Sequence, residues 1–329
     1  MKSEENAIEV KNLTKRFEVK QKEAGFLGSL KSIVKPNIKE ITAVDNISFK
    51  IKKGELIGFI GPNGAGKSTT IKILTGILYP TYGEAKVAGI VPWEKRKVLS
   101  YKLGSVFGQK PQLWYHLPAI DTFNLFSKIY DLDEKEYIQR RDYLVKLFEI
   151  QDIINTPVRK LSLGQRMKCE IVASLLNRPE ILLLDEPTIG LDIIAKQKIR
   201  ELIRELNEKE KVTIILTSHD MQDIEHLCKR IVIINHGKIV YDGNKERLNE
   251  KYLKNKIVSV KFEEVFRGFD VKGVKLLKSE KYSADFEVDT KKISIKELID
   301  SLIKKYAVLD INISSTPIEE VIANIYNEK

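Results

Sequence analysis

The chain has 329 residues, of which 43% are hydrophobic and 31% charged, so we predict a folded protein of about two domains and not a disordered chain. Its 56 lysines and arginines exceed its 46 aspartates and glutamates, and this net charge of +10 permits an acidic partner without by itself indicating one. Cys169 and Cys228 lack disulfide or zinc spacing, and there is neither an apolar leader nor a run of about 20 apolar residues, so we predict a cytoplasmic chain without a membrane-spanning helix.

Strands dominate the beginning of the chain. Apolar and polar residues alternate at 8–13 and 46–51, which predicts two half-buried strands, and the apolar run 56–60 predicts a strand buried on both faces. Between the first two strands lies an insertion, residues 20–41. It mixes apolar side chains with lysines: Phe26, Leu27, Leu30, Ile33 and Val34 with Lys20, Lys22, Lys31, Lys35 and Lys39. This composition is typical of a basic amphipathic helix on an anionic lipid surface, and equally of a surface loop.

A glycine-rich loop follows the third strand and opens a helix predicted at 67–78. Its pattern is that of a phosphate-binding loop: Gly61, Pro62, Asn63, Gly64, Ala65, Gly66, Lys67 and Ser68, with Thr69 next in the helix. We expect its N–H groups to face phosphate oxygens, Lys67 to reach the β- and γ-phosphates, and Ser68 to place a hydroxyl on Mg²⁺. The glycine spacing disfavours a dinucleotide site, and the alternative is an ordinary glycine-rich turn.

The middle of the chain is predicted to be helical. Residues from about 110 to 176 form a helical subdomain, with helices over 119–150 and 165–176. Ser162 and Gly164 lie just before the second helix, where backbone N–H groups can bind an anion. One nucleotide needs only one phosphate-binding element, and the loop 61–68 already provides it. This second anion-binding element is explained if it binds the nucleotide of a partner subunit. Simple N-capping by Ser162 is the open alternative.

Two carboxylates follow the next buried strand, at 181–184. Asp185 and Glu186 are expected at the carboxyl edge of a parallel sheet, where ligands bind in such folds. We expect Asp185 to support Mg²⁺ through water and Glu186 to polarise the attacking water as general base. A solvated acidic turn is the alternative for this element taken alone.

The first domain continues with alternating helices and strands. A helix striped with Ile and Leu at 199–206 precedes buried strands at 212–216 and 231–234 and a hairpin strand at 238–241. His219 follows the strand at 212–216, so it would lie at the same sheet edge. There it would hydrogen-bond a γ-phosphate, or alternatively serve a structural hydrogen bond. Strands alternating with helices predict an α/β domain with a mainly parallel sheet.

The pattern changes near residue 245, which separates a first domain, 1–245, from a small α+β domain, 246–329. A charged helix and linker are predicted at 244–256, and alternating strands at 258–262, 286–288 and 309–313. Two capped helices are predicted to begin at Ser294 and at Thr316. This second domain shows no catalytic constellation, so we expect a role in packing or dimerisation.

The motifs of residues 8–243 resemble those of the ATP-binding subunit of an ABC (ATP-binding cassette) transporter. In the family's order they are the phosphate loop 61–68, the glutamine loop with Gln109, the signature 161–165, the strand 181–186, the loop 188–192 and the switch histidine His219. The resemblance implies a P-loop NTPase cassette, with antiparallel N-terminal strands and a helical subdomain beside the parallel sheet. Such a cassette binds ATP and Mg²⁺ and hydrolyses ATP to drive transport.

The resemblance also implies roles for single residues. Gln109 joins Ser68 at Mg²⁺ and reports the state of the catalytic site to the membrane partner. Phe17 matches the aromatic residue that stacks on adenine, although tyrosine is commoner there. Gln165 belongs to the nucleotide-binding signature, and Asp192 matches the residue that helps to join two subunits.

Partners follow from the same resemblance. Two copies, or this chain and a homologous ATPase subunit, would meet head to tail, and a separately encoded transmembrane permease would hold them at the cytoplasmic face of the cell membrane. Leu163 departs from the family because it replaces the first glycine after the signature serine. The insertion 20–41, with its potential anionic-lipid contact, the stretches 91–93 and 112–114, and the C-terminal domain resemble the drug- and lipid-exporter branch.

Two rival functions remain open from the motifs alone. A cassette ATPase of the DNA-repair kind splits its cassette with a long coiled coil, but no sustained heptads lie between Ser68 and Ser162. The ribosome-acting kind carries two cassettes, and one is found here, so no nucleic-acid partner is expected. A P-loop kinase would leave the signature and His219 unexplained.

Overall fold

Two units make up the part of the chain that the structure describes. They are Met1–Gly243 and Asn244–Lys329, and each is treated separately below. The computed structural model describes residues 5–21, 37–108, 110–218, 220–252 and 255–315.

The first unit contains alternating strands and helices. In chain order they are β1 (Asn6–Gln21), β2 (Asn37–Lys52), β3 (Leu56–Ile60), α1 (Lys67–Leu74), β4 (Tyr82–Val87), α2 (Arg96–Ser100), β5 (Leu103–Phe107), α3 (Ala119–Ile129), α4 (Glu134–Leu147), α5 (Leu163–Leu175), β6 (Ile181–Asp185), α6 (Ile193–Glu210), β7 (Thr213–Thr217), α7 (Met221–Leu227), β8 (Arg230–Asn235) and β9 (Lys238–Asn244).

The larger sheet has the strand order β5-β6-β7-β3-β8-β9 among the described residues. Every pairing from β5 to β8 is parallel. All residues of β3 and β7 are buried, as expected of strands covered on both faces. The predicted α/β class with a mainly parallel sheet is therefore confirmed, and the carboxyl ends of β3, β6 and β7 meet at one edge.

The smaller sheet is antiparallel, with the order β2-β1-β4. Its first two strands are longer than predicted because their pairing continues into the insertion 20–41, where Lys20 lies opposite Ile38. Residues 20–21 and 37–41 are therefore strand, and a helix over these ends of the insertion is wrong. The apolar residues of the insertion, at 26–34, lie outside the described residues.

The helices differ from prediction mainly at their ends. α1 stops at Leu74 because Gly76 turns the chain with a φ of 70°, so the prediction of helix up to 78 is wrong. The region predicted as helical at 119–150 forms two helices, α3 and α4. The chain turns between them at Asp131, which has a φ of 49°, and the side chain of Asp133 caps the start of α4. Within the described ranges, no helix has both the length and the apolar composition that a membrane crossing requires.

The second unit is a four-stranded antiparallel sheet with helices. It comprises α8 (Lys245–Tyr252), β10 (Asn255–Phe262), β11 (Val274–Glu280), β12 (Ser283–Asp289), α9 (Ile295–Lys305) and β13 (Val308–Ser315), with the strand order β11-β12-β10-β13. Its core joins Val258 and Phe286 of the sheet to Leu298 and Leu302 of α9. Ser294 and Glu297 form the predicted capping box. The helix predicted from Thr316 lies outside the described residues.

Candidate nucleotide site

The loop 61–66 has a shape that only small residues permit. A Cβ on Gly61 would lie 2.2 Å from the carbonyl oxygen of Ile234, and one on Gly66 would lie 2.4 Å from that of Ala43. Gly66 also has a φ of 110°, in the left-handed region that favours glycine. The loop therefore packs between β8 and β2 and leads directly into α1. The first N–H groups of α1 have no acceptor within the helix. Such an end is suited to bind an anion.

The side chain of Lys67 folds back over this loop. Its Nζ donates hydrogen bonds to the carbonyl oxygens of Gly61 at 2.6 Å and Pro62 at 3.1 Å. Burial lowers the pKa of Lys67, while the nearby charges of Glu186 and Asp185 oppose that shift. A buried ammonium is therefore held at the phosphate loop. Asn63 and Gly64 form its exposed tip, Ala65 is buried beneath it, and Thr69 is half-buried.

Asp185 connects three elements at the sheet edge. Its Oδ1 accepts a hydrogen bond from Thr217 at the end of β7 (2.5 Å), and its Oδ2 accepts one from Ser68 of α1 (3.4 Å). Hydroxyl and carboxylate oxygens are ligands that suit Mg²⁺. This pair therefore fits the predicted metal position as far as the described residues reach. Gln109, the third predicted ligand, lies outside them.

Glu186 has an unusual backbone for a residue with a side chain. Its φ is 58°, and its N–H is held by both the carbonyl and the hydroxyl oxygen of Thr217, each at 3.1 Å. On the other side, a Cβ on Gly108 would lie 2.4 Å from the carbonyl oxygen of Glu186. Left-handed backbone at a non-glycine residue costs about 1–3 kcal/mol and is frequent at functional sites. The ends of β5 and β7 together impose this conformation.

An open cleft of about 200 Å³ lies beside these residues. Ser68, Asp185 and Glu186 line it together with Lys72, with Phe107 at the end of β5, and with Gly108 and Lys110 just after that strand. Of the described lining residues, none belongs to the signature 161–165. The cleft therefore brings together Ser68, the last residue of the phosphate loop, and the two carboxylates, but not the second predicted anion site at Ser162 and Gly164.

That second anion site is a well-formed helix N-terminus. Ser162 accepts a hydrogen bond from the N–H of Gln165, and the Gln165 side chain accepts one from the N–H of Ser162. This capping box starts α5 at Leu163, earlier than the predicted 165. The N-capping alternative is thus realised. It leaves the exposed Ser162 hydroxyl proton available to an anion, so the two roles are compatible.

Leu163 contacts the loop 188–192 of the same chain, and Gly164 faces the first turn of α6. The Leu163 side chain lies over Gly190, where an added Cβ would come within 3.0 Å of Leu163 Cδ2. Gly164 faces Ala195 in the same way, at 3.0 Å. Asp192, predicted to help join subunits, caps α6 by accepting a hydrogen bond from the N–H of Ala195. The residue that departs from the family pattern therefore fills space above a glycine.

The remaining predicted residues are placed as follows. Phe17 pairs with Ile41 in β2. Ala43, two residues further along β2, lies against Gly66 of the phosphate loop. The aromatic ring therefore belongs to a strand next to that loop. The ring also faces the ammonium of Lys15, at 5.1 Å from its centroid. His219 lies outside the described residues.

Two further charged residues, Lys72 and Glu170, were not predicted from the sequence. Lys72 lies one helical turn after Ser68 and lines the same cleft. The four-residue spacing places both residues on one face of α1, so it could have indicated that Lys72 lies at the site. Glu170 on α5 is buried, and its carboxylate accepts hydrogen bonds from the N–H groups of Gln112 and Leu113. Burial raises the pKa of Glu170 and these hydrogen bonds oppose the shift. This contact ties the helix after the signature to the segment that follows Gln109.

Known proteins share these features. A family model described as ABC transporter matches residues 44–189. The ABC transporter ATP-binding protein NatA of Bacillus subtilis is 34% identical over 212 residues, which cover 64% of this chain and 86% of NatA. The bacitracin transport ATP-binding protein BcrA of Bacillus licheniformis is 35% identical over 215 residues, which cover 64% of this chain and 69% of BcrA.

A solved structure agrees with the sequence relatives. The ATP-binding cassette MJ0796, in a dimeric post-hydrolysis state bound to ADP and Pi, is similar with a TM-score of 0.60 and 28% identity over 72% of this chain and 98% of that cassette. The chain binds ATP and is an ATP hydrolase whose reaction is coupled to transmembrane transport. It belongs to the ATP-binding subunits of ABC transporters.

Proposed function

We propose that two ATPase subunits, either two copies or this chain and a homologue, close head to tail around two ATP molecules. Each ATP would lie between residues 61–68 of one subunit and residues 162–165 of the other. The observation that carries this proposal is the division of the site. The cleft is lined by Ser68 at the end of the phosphate loop and by the two carboxylates, while the capped N-terminus of α5 presents Ser162 elsewhere on the surface. The dimeric state of the cassette MJ0796 supports the pairing of two subunits.

In this arrangement the chain's own residues share the work of hydrolysis. Lys67 and the loop N–H groups hold the phosphates, and Phe17 stacks on adenine. Glu186 accepts a proton from water as the water oxygen bonds to the γ-phosphorus, and the bond to the bridging oxygen breaks to release ADP and phosphate. His219 hydrogen-bonds the γ-phosphate. Mg²⁺, held by Ser68, Asp185 and Gln109, would neutralise charge on the phosphate oxygens.

Transport requires a second kind of partner. We propose that a separately encoded transmembrane permease provides the path and holds the ATPase at the cytoplasmic face of the membrane. Gln109 would carry the state of the cleft to this permease. Trp114 and Tyr115, which follow Gln109 closely in the chain, are 50% and 55% exposed, and this supports a docking surface on the segment after Gln109.

We propose that the transporter is an exporter of antimicrobial compounds, and the name of the bacitracin transport relative supports this class of substrate. Sensitive bacteria that express this chain together with its permease partner should survive several-fold more bacitracin. The reason is that export lowers the internal concentration of the compound. The measurement is the inhibitory concentration, with labelled bacitracin accumulation in the same cells.

The control for that test is the same pair carrying Glu186→Gln, which should give no protection. Unchanged resistance, or a higher accumulation in cells with the intact pair, would contradict export. The second result would indicate uptake.

We further propose that the insertion 20–41 contacts anionic lipid. The intact chain should float with vesicles containing anionic phospholipid and not with purely zwitterionic ones. A variant with its five lysines, at 20, 22, 31, 35 and 39, changed to glutamine should lose that binding, because each basic residue near such a surface contributes about 1 kcal/mol. Added salt should weaken it. The measurement is co-flotation on a density gradient.

A matched variant separates this effect from the overall charge of +10. Five exposed lysines of the second unit, at 275, 278, 281, 292 and 304, are changed to glutamine instead. This variant should still bind. If both variants bind alike, or neither chain nor variant binds, the insertion is not a lipid contact.

A further inference from the structure

A buried carboxylate outside the nucleotide cleft joins two segments that flank Glu186. Asp223 of α7 has no solvent exposure. It accepts hydrogen bonds from the hydroxyls of Thr188 and Ser218, the latter at 2.7 Å, and from Nε of Arg200 at 2.6 Å. Three separate stretches of chain therefore converge on one side chain.

Those stretches are the ones that control the surroundings of Glu186. Thr188 lies two residues after Glu186 and begins the loop 188–192. Ser218 directly precedes His219, the predicted switch residue. Arg200 projects from α6, the helix that this loop opens. The carboxylate of Asp223 thus binds the loop 188–192 through Thr188 and the segment before His219, called the switch segment below, through Ser218.

A second ion pair reinforces the same junction. Lys196, one turn before Arg200, donates to Asp220 at 2.6 Å, and Nη2 of Arg200 lies 3.5 Å from the same carboxylate. Asp220 also caps α7 and donates its N–H to the hydroxyl of Ser218. The network therefore runs without a break from α6 through the switch segment into α7.

The network bounds a cavity behind Glu186. This cavity, of about 140 Å³, is lined by Glu186, Thr188, Lys196, Ser218 and Asp220, together with the tip of the loop 188–192. Glu186 lines both this cavity and the nucleotide cleft. Displacement of Thr188 or Ser218 would therefore change the wall against which Glu186 is held.

Stability alone is a weak explanation for such a cluster. Removing two charges from water costs several kcal/mol per ion, and packed apolar residues of similar volume often serve stability equally well. What apolar residues cannot supply is a directional tie between three segments. The carboxylate of Asp223 supplies it, since it accepts a hydrogen bond from one donor of each segment.

We propose that Asp223 is a positioning residue of the ATPase reaction. It holds the loop at Thr188 and the segment at Ser218 in one mutual arrangement, so that the two change position together beside Glu186. The inference rests on the proposed role of Glu186 as general base. Asp223 acts only through Thr188 and Ser218 and touches no reacting atom.

The test is Asp223→Asn in the full chain. An asparagine has one acceptor oxygen where the carboxylate has two, so the three donors cannot all be satisfied. We expect kcat to fall about 10- to 100-fold, because small displacements of a catalytic group have effects of this size, with KM for ATP within about twofold. Kinetics and thermal unfolding are measured on the same preparations.

The matched control is Glu210→Gln, which breaks the bidentate pair between Arg140 and Glu210. Arg140 is buried and Glu210 only partly exposed, and neither lines the cleft or the cavity behind Glu186. We expect this variant to lose stability and keep kcat. Equal loss of kcat in the two variants, or an unchanged kcat in Asp223→Asn, overturns the proposal.

Two further variants keep the test decisive if Asp223→Asn does not fold. Thr188→Val and Ser218→Ala each remove one donor and leave the carboxylate. In a double-mutant cycle their effects on kcat should be non-additive, because both act through one arrangement. Additive effects contradict the proposal. Glu186→Gln is assayed in parallel: if that variant keeps its turnover, the assignment of the base fails, whatever Asp223 shows.

Discussion

Glu186→Gln should lower ATP turnover by about 10²- to 10⁴-fold, the usual contribution of a general base. Glutamine has nearly the same shape and keeps the backbone that Thr217 holds at φ 58°, but it cannot accept the proton of the attacking water. ATP should still bind, because the phosphate loop and Lys67 are untouched. The variant should therefore accumulate as an ATP-bound dimer. Phosphate release and size-exclusion chromatography with and without ATP measure the two effects.

The control is Glu180→Gln, an exposed carboxylate just before β6 that pairs with Lys102. It lies at the opposite end of the same strand from Glu186, so its turnover should stay near that of the unaltered chain. Normal ATP hydrolysis by Glu186→Gln would refute the assignment of the base. Loss of turnover with no ATP-dependent dimer would leave the base assignment standing and count against the closed dimer.

A mixture of two inactive variants should recover activity. Lys67→Ala removes the buried ammonium of the phosphate loop, and Ser162→Arg fills the exposed corner before α5. Each variant alone should lose at least 90% of its turnover. This is about a tenfold loss, which corresponds to one charge-assisted contact of about 1.4 kcal/mol. In a mixed dimer, however, one site combines the intact loop of one chain with the intact corner of the other.

Equal amounts of the two variants should restore about a quarter of the normal turnover, since about half of randomly paired dimers are mixed and each has one intact site of two. The matched control mixes Lys67→Ala with Glu186→Gln. Both of these changes lie in the same half-site, so every pairing leaves both sites damaged and no recovery is expected. The interpretation fails if the first mixture stays inactive, or if Ser162→Arg alone keeps full turnover.

Features that depend on neighbours in sequence could be predicted from the chain. β3, β6 and β7 are uninterrupted apolar runs, and the glycine and lysine spacing of 61–68 identifies the phosphate loop without further information. The capping box at Ser294 is also local, since it requires a partner three residues later. These are the elements that the structure places where they were expected.

Features assembled from distant segments could not be predicted. Asp223 meets Thr188 and Arg200 only after folding, and no spacing in the sequence relates them. β11 was missed for another reason: nearly all its residues are exposed, so no alternation of apolar and polar side chains marks it. The left-handed backbone of Glu186 likewise arises from Gly108, just after β5, and from Thr217, at the end of β7.

The packing of the phosphate loop has a consequence for affinity. Contacts with Ile234 and Ala43 fix its backbone, and Lys67 donates to its own loop carbonyls. The entropy needed to order this loop is therefore spent during folding and not during association. The incoming triphosphate has only to draw one side chain away from two carbonyl groups, so little of its interaction energy is consumed in shaping the protein.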